Sequence, residues 1–148
     1  MIYLDASVVF SLHFRDSNTV EALDLIGNAT EPLIISALCE METINAFGLR
    51  VFRGEMSERN MDNAVRDLES DLRFGIMQRM PIPEPAFTRA KMLSREITPS
   101  TGVRAADLLH IGAALELGAK IIYTFDQKQH KAAQAVGLTV NQLPKPQR

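Results

Sequence analysis

The sequence predicts a single α/β domain with a central parallel sheet of about five strands and helices on both faces. The first observation is that short apolar runs alternate with longer stretches of helical periodicity, which is the pattern of βαβ units. The second is size: 148 residues, 46% of them hydrophobic, suffice for one domain with a buried core. We expect this domain over residues 1–143, followed by a polar tail over 144–148.

Each predicted strand is short and apolar and is bounded by polar residues, glycine or proline. The predicted strands cover residues 1–4, 33–35, 75–80, 120–125 and 138–140. The first ends at Asp5 and the fourth at Asp126, so both acids fall at the carboxyl ends of strands. The third run is followed by Pro81, Pro83 and Pro85, which prevent its extension.

Helical periodicity fills most of the chain between these strands. The predicted helices cover residues 18–27, 37–53, 57–73, 85–97, 104–118 and 127–136. Ser36 is suited to cap the second helix, and Gly118 and Gly137 are suited to end the last two. The segment 98–102 is predicted to be a loop, and residues 6–17 receive no element.

Composition and charge exclude several classes of protein. The formal net charge is −2 and 23% of residues are charged, so neither charge-driven disorder nor a basic coat for nucleic acid is indicated. The single cysteine, Cys39, excludes a disulfide scaffold and favours a reducing compartment. Because no apolar run approaches the roughly 18 residues that span a membrane, we expect a soluble cytoplasmic protein with no membrane partner.

Four carboxylates that are separated along the chain are predicted to meet at one edge of the sheet. In parallel α/β sheets, ligands bind at the carboxyl ends of the strands, and each returning helix begins at that edge. Asp5 and Asp126 end predicted strands, Glu42 lies in the second turn of one helix, and Asp107 lies in the first turn of another. These four residues are the candidate functional site.

Helical-wheel positions predict that some polar groups face the interior. In the second predicted helix, Glu42 and Asn45 fall on or beside an apolar arc, whereas Thr43 falls on the predicted solvent side. The arc consists of Leu38, Met41, Gly48, Leu49 and Phe52. In the fifth predicted helix, Asp107 lies among apolar residues. Inward-facing carboxylates need partners, because burial of an unpaired charge is costly.

A divalent cation is the simplest partner for clustered carboxylates. Such carboxylates repel one another unless a cation neutralises them, and oxygen ligands without cysteine select hard ions such as Mg²⁺ or Mn²⁺. A hard ion in an open acidic cleft suits phosphodiester hydrolysis. The sequence contains no P-loop, no dinucleotide-binding glycine motif, no nucleophile elbow and no HExxH helix, so no competing chemistry is indicated.

Four segments of the chain resemble the PIN domain, and most closely the short bacterial toxin nucleases of the VapC type. They are IYLDAS at residues 2–7, ETINAF at 42–47, AADLLHI at 105–111 and YTFD at 123–126. The stretch 132–140 also resembles the family, so the resemblance covers essentially the whole chain. Each pattern alone is common, but four in this order and spacing are fairly specific.

The resemblance implies a PIN-like nuclease domain with Mg²⁺- or Mn²⁺-dependent activity on RNA, a homodimer, and inhibition by a cognate antitoxin protein. The family's metal ligands correspond to Asp5, Glu42, Asp107 and Asp126. Its supporting positions correspond to Ser7, Asn45 and Thr124. By this resemblance, the two hydroxyls orient the acids and Asn45 supports Glu42.

The candidate residues also have purely structural explanations. Asp5 could cap a turn, Asp126 could cap the helix that follows it, and Glu42 could pair with a basic neighbour. His110, one turn after Asp107, is interpreted as a packed core histidine and is left out of the site.

Two basic residues and two other functions complete the hypotheses. Arg104 and Lys128, near helix starts at the same edge, are candidate contacts for substrate phosphates. A phosphohydrolase that uses Asp5 is disfavoured, because haloacid-dehalogenase-like enzymes need a second Asp two residues later and this chain has Ser7. The other alternative is a non-catalytic module on a PIN scaffold that binds RNA or protein without a metal.

Overall fold

A parallel sheet forms the centre of the structure, a computed structural model that describes residues 1–143. Its strands are β1 (Ile2–Leu4), β2 (Leu33–Ser36), β3 (Gln78–Met80), β4 (Ile121–Tyr123) and β5 (Thr139–Val140). They lie in the order β3-β2-β1-β4-β5, and every neighbouring pair is parallel. The prediction of an α/β fold with a five-stranded parallel sheet is confirmed. The predicted tail, 144–148, lies outside the described residues.

Helices cover both faces of this sheet. Within residues 1–143 they are α1 (Ala6–His13), α2 (Thr19–Gly27), α3 (Ala37–Phe52), α4 (Glu58–Arg73), α5 (Glu84–Glu96), α6 (Thr98–Thr101), α7 (Ala105–Glu116) and α8 (Gln127–Ala135). Alternate strand residues point to opposite faces. Tyr3 therefore joins an apolar cluster with Ile111 of α7, whereas Leu4 joins a second cluster with Cys39 of α3 and Leu68 of α4. None of the described helices is long and apolar enough to cross a membrane.

Two short helices lie where the sequence predicts none. Helix α1 has four consecutive buried residues, Val8 to Ser11, so it has no polar face and its sequence carries no helical periodicity. The segment 98–102, predicted to be a loop, forms α6 and ends at Gly102, whose φ of 64° lies in the left-handed region. Helix α1 is missed because helix prediction depends on an amphipathic pattern. The loop prediction for 98–102 is wrong because proline and glycine, which are typical of turns, also begin and end helices.

The buried face of α3 differs from the predicted one. The buried stripe, spaced four residues apart, consists of Cys39, Thr43 and Phe47. Members of the predicted inward arc are exposed instead: Met41 by 60%, Leu49 by 44% and Phe52 by 89%. The prediction is wrong because it treats Thr43 as a surface residue. The Thr43 hydroxyl donates to the carbonyl of Cys39 at 2.8 Å, so its burial leaves no polar group unsatisfied.

Candidate metal centre

An open cleft at the carboxyl edge of the sheet brings the four candidate acids together. The cleft has a volume of about 310 Å³, and its lining includes Asp5, Glu42, Asp107 and Asp126. The end of β1, helix α3, helix α7 and the segment after β4 supply one acid each. Residues that are far apart in sequence thus meet where the topology of a parallel sheet predicts a site.

Asp5 is held through one of its carboxylate oxygens. It caps α1, and its Oδ2 accepts hydrogen bonds from the backbone N–H of Ser7 at 3.1 Å and from the Ser7 hydroxyl at 2.7 Å. The Thr124 hydroxyl donates to the same oxygen at 3.3 Å. Each hydroxyl oxygen also accepts a backbone N–H, from Phe125 and Asp126 respectively. Ser7 and Thr124 therefore orient Asp5 and join it to the segment after β4.

His110 is the residue that the sequence interpretation leaves out and that the structure brings to the acids. Its side chain is fully buried, and its Nε2 lies 2.6 Å from Glu42 Oε2 and 3.7 Å from Asp5 Oδ1. Its Nδ1 lies 2.7 Å from the hydroxyl of Tyr3. It is packed in the core, as interpreted, but its partner is a site acid. The three-residue spacing from Asp107 could have indicated this, because residues three apart share one helix face.

Asp5, Glu42 and His110 form a group that could hold a metal ion. One potential ligand atom from each lies within 4.8 Å of the other two. Burial lowers the pKa of His110, but the hydrogen bond with Glu42 and the charge of Asp5 outweigh burial and raise the pKa above its ordinary value. The two carboxylates suit Mg²⁺ or Mn²⁺.

Arg104 bridges the two remaining acids. Its Nε donates to Asp107 Oδ2 at 3.1 Å, and its Nη2 lies 3.5 Å from Asp126 Oδ2. The other oxygen of Asp126, Oδ1, caps α8 by accepting the backbone N–H groups of Lys128 and Gln129. The predicted capping role of Asp126 therefore uses one oxygen and leaves the second for the cleft. Burial raises the pKa of Asp107, although the hydrogen bond from Arg104 opposes this effect.

The charges of the cleft do not balance within the part of the chain that the structure describes. Four carboxylates and one guanidinium line it, and His110 adds at most one positive charge behind them. A purely structural ion-pair network should not leave carboxylates uncompensated in a partly buried site. Oxygen donors from four elements and an excess of negative charge together fit a hard divalent cation.

Asn45 and Lys128 are placed less favourably than predicted. Asn45 lines the cleft but lies on the exposed side of α3, and within residues 1–143 no hydrogen bond joins it to Glu42. The predicted inward orientation of Asn45 is wrong, because the buried face of α3 passes through Thr43. Lys128 is exposed, and its Nζ lies 3.8 Å from the position that a Cβ would occupy on Gly102, beside the cleft rather than in its lining.

A family model and several solved structures agree on the fold. A family model described as PIN domain matches residues 2–135. The chain has no match among curated proteins. The structure of Mycobacterium tuberculosis VapC20, described as a toxin that cleaves the sarcin-ricin loop, matches with a TM-score of 0.70 at 17% identity, over 94% of this chain and 97% of that one.

Two further solved structures match over similar lengths. VapBC2 from Rickettsia felis, bound to a DNA fragment from its promoter, has a TM-score of 0.66 at 17% identity, over 95% of this chain and 98% of that one. FitAcB from Neisseria gonorrhoeae has a TM-score of 0.65 at 19% identity, over 95% and 96%. At these identities the likeness shows a shared fold, and function has to be argued from the site.

Proposed function

This chain belongs to the PIN domain family, and from that premise we propose that it is a divalent-metal-dependent endoribonuclease and the toxin of a toxin-antitoxin pair. The observation that carries the proposal is the meeting of Asp5, Glu42, Asp107 and Asp126 in one open cleft with excess negative charge. Such a cleft suits Mg²⁺ or Mn²⁺ and an RNA phosphodiester as substrate.

The proposed mechanism divides the work between the cation and the protein. When bound, Mg²⁺ or Mn²⁺ supplies Lewis acidity toward the phosphodiester and the attacking water. Ser7 and Thr124 hold one oxygen of Asp5, and the second oxygen lies on the side of His110. His110 in turn holds Glu42 through Nε2, while its Nδ1 is hydrogen-bonded to the buried tyrosine hydroxyl of β1. Asp5 and Glu42 are therefore oriented in advance, so their part in the reaction requires little reorganisation.

Substrate contacts are proposed at the basic residues of this edge. Arg104 lines the cleft with a side chain that is 72% exposed, and Lys128 is exposed beside it. Both can reach solvent, where an RNA phosphate would approach, and cationic side chains supply most of the affinity for a phosphate backbone.

A cognate antitoxin protein and a second copy of the chain are the proposed partners. Among the structural neighbours, VapC20 is described as a toxin and VapBC2 as bound to DNA from its promoter. On this chain, the apolar side chains of Met41, Leu49 and Phe52 are exposed along α3. Exposed apolar groups on one helix are typical of a surface that another protein covers.

The test is cleavage of total RNA by the unmodified chain and by Asp5→Asn, with Mg²⁺ or Mn²⁺ and with excess EDTA. We expect discrete fragments that need the metal and are lost in Asp5→Asn, because the carboxylate is removed while the Ser7 contacts can be kept by the amide oxygen. Asp62→Asn, at an exposed position of α4, is the matched control and should cleave normally.

Two results would overturn the proposal. Cleavage by Asp5→Asn equal to that of the control would indicate a contaminating ribonuclease or a different site. RNA binding with unchanged affinity and no cleavage in Mn²⁺ would favour a non-catalytic binding module on the same scaffold.

A further inference from the structure

The cleft contains two groups of side chains whose charges are compensated differently. The first group is Asp5, Glu42 and His110, whose potential ligand atoms lie within 4.8 Å of one another. The second is Asp107 and Asp126, which share the guanidinium of Arg104. The second group has a permanent cation between its carboxylates, because arginine remains protonated across the whole working pH range.

We propose that Arg104 takes the place of a second metal ion, so that each chain binds one divalent cation, at Asp5 and Glu42. The inference rests on the proposed function, since it assumes that the cleft holds the catalytic metal. A cation that enters between Asp107 and Asp126 has to displace the guanidinium. One that enters between Asp5 and Glu42 meets no guanidinium, and His110 can keep its hydrogen bond with one oxygen of Glu42.

The backbone places Arg104 for this role. Arg104 is the N-cap residue of α7, with extended backbone at φ −85° and ψ 160°, and its exposed side chain lines the cleft. From there it reaches Asp107 in the first turn of its own helix and Asp126 at the start of α8. The planar guanidinium offers separate N–H groups to the two carboxylates, which a lysine ammonium does less well.

Stabilisation of the fold explains only part of this arrangement. The Asp107 side chain is 9% exposed, and the Arg104 guanidinium offsets the cost of burying its charge. The contact with Asp126 joins side chains that are 72% and 32% exposed, and ion pairs of that kind contribute little to stability. Arg104 also acts on the charge of the cleft, because it neutralises Asp107 and Asp126 while the imidazole of His110 is hydrogen-bonded to Glu42. The N–H groups that do not contact the acids remain available to a substrate phosphate, because a guanidinium has five donors.

The experiment counts Mn²⁺ ions per chain. Metal-stripped protein is titrated with Mn²⁺ by calorimetry, and free Mn²⁺ is followed by electron paramagnetic resonance. The unmodified chain should bind one ion, and Arg104→Gln should bind two. Adding Asp107→Asn to Arg104→Gln should return the number to one, because the second ion then lacks a ligand. Arg89→Gln is the matched control, since Arg89 is an exposed arginine that pairs with Glu116 outside the cleft.

The outcomes separate this inference from the proposed function. Two ions per unmodified chain, or one ion per chain in Arg104→Gln, would overturn the inference and leave metal-dependent cleavage standing. A second ion that persists in the double variant would also overturn it, because that ion would lie elsewhere. No Mn²⁺ binding by the unmodified chain would overturn both.

Discussion

Gly112 is the position where one added methyl group should disturb the helix that carries two site residues. It lies in α7, two residues after His110, and a Cβ on it would lie 2.7 Å from the backbone oxygen of Ala86 in α5. Two further backbone atoms of α5 would lie 3.5 Å away. A contact of 2.7 Å is shorter than van der Waals packing allows, and backbone cannot rotate away as a side chain does. We therefore expect Gly112→Ala to force α5 and α7 apart.

The magnitude follows from two opposing effects. Alanine is favoured over glycine inside a helix by about 1 kcal/mol, whereas overpacking of a tight interior costs about 1–3 kcal/mol. Gly48 in α3 provides the matched control, because its Cβ would meet only the end of the Met61 side chain at an ordinary 3.8 Å. Gly48→Ala should gain only the stabilisation that alanine provides over glycine inside a helix. The difference between the two variants should equal the packing cost, about 1–3 kcal/mol in the free energy of unfolding.

Urea denaturation, monitored by circular dichroism, measures this difference. We expect Gly112→Ala to have a lower midpoint than Gly48→Ala at an unchanged slope. If Gly112→Ala proves as stable as Gly48→Ala, the close approach of α5 and α7 is not rigid and the reasoning is refuted. A rigid contact also predicts weaker Mn²⁺ binding by Gly112→Ala, because His110, which holds Glu42, moves with α7.

The remaining predictions concern Asp107 and His110. Burial raises the pKa of Asp107, so protonation of its carboxyl group stabilises the folded state. This stabilisation is fully present below about pH 4, the ordinary pKa of Asp, and is lost as the pH rises through the raised pKa. In EDTA, the free energy of unfolding of Asp107→Asn should therefore rise relative to that of the unmodified chain between pH 4 and pH 7. A difference between the two proteins that does not change with pH, measured by urea denaturation, would contradict this. His110→Gln should weaken Mn²⁺ binding about 10–100-fold, as loss of a residue that orients a ligand does. His130→Gln, whose ring contacts the backbone of Asn141, should bind as the unmodified chain does, and equal affinities in all three proteins would refute a role for His110.

The acids of the site could be predicted because their placement depends on local features of the chain. Asp5 follows an apolar run, and Asp107 lies in the first turn of an apolar helix. Parallel topology then brings such positions to one edge, whatever the details of packing. The resemblance to the PIN domain family, rather than topology, predicts the hydroxyl positions Ser7 and Thr124, which the structure places on Asp5. Their roles in catalysis remain predictions.

The missed features all depend on which surfaces pack together. Helix α1 is not predicted because consecutive residues of it are buried, so its sequence has no amphipathic periodicity. The exposed face of α3 is predicted wrongly because the Thr43 hydroxyl donates to a backbone carbonyl, and the hydropathy of the sequence does not show this hydrogen bond. His110 lies outside the predicted site because its role depends on Glu42, 68 residues earlier in the chain.

The sequence by itself determined the fold class, the family resemblance and the set of carboxylates that meet at the sheet edge, because in a parallel α/β sheet strand ends and helix starts lie at the same edge. Only the tertiary structure decided how the charges in the cleft are paired: His110 with Glu42 and Asp5, and Arg104 with Asp107 and Asp126. The physical reason is distance. Hydrogen bonds and ion pairs form only within a few ångströms, and side chains from separate elements reach such distances only after the helices have packed on the sheet.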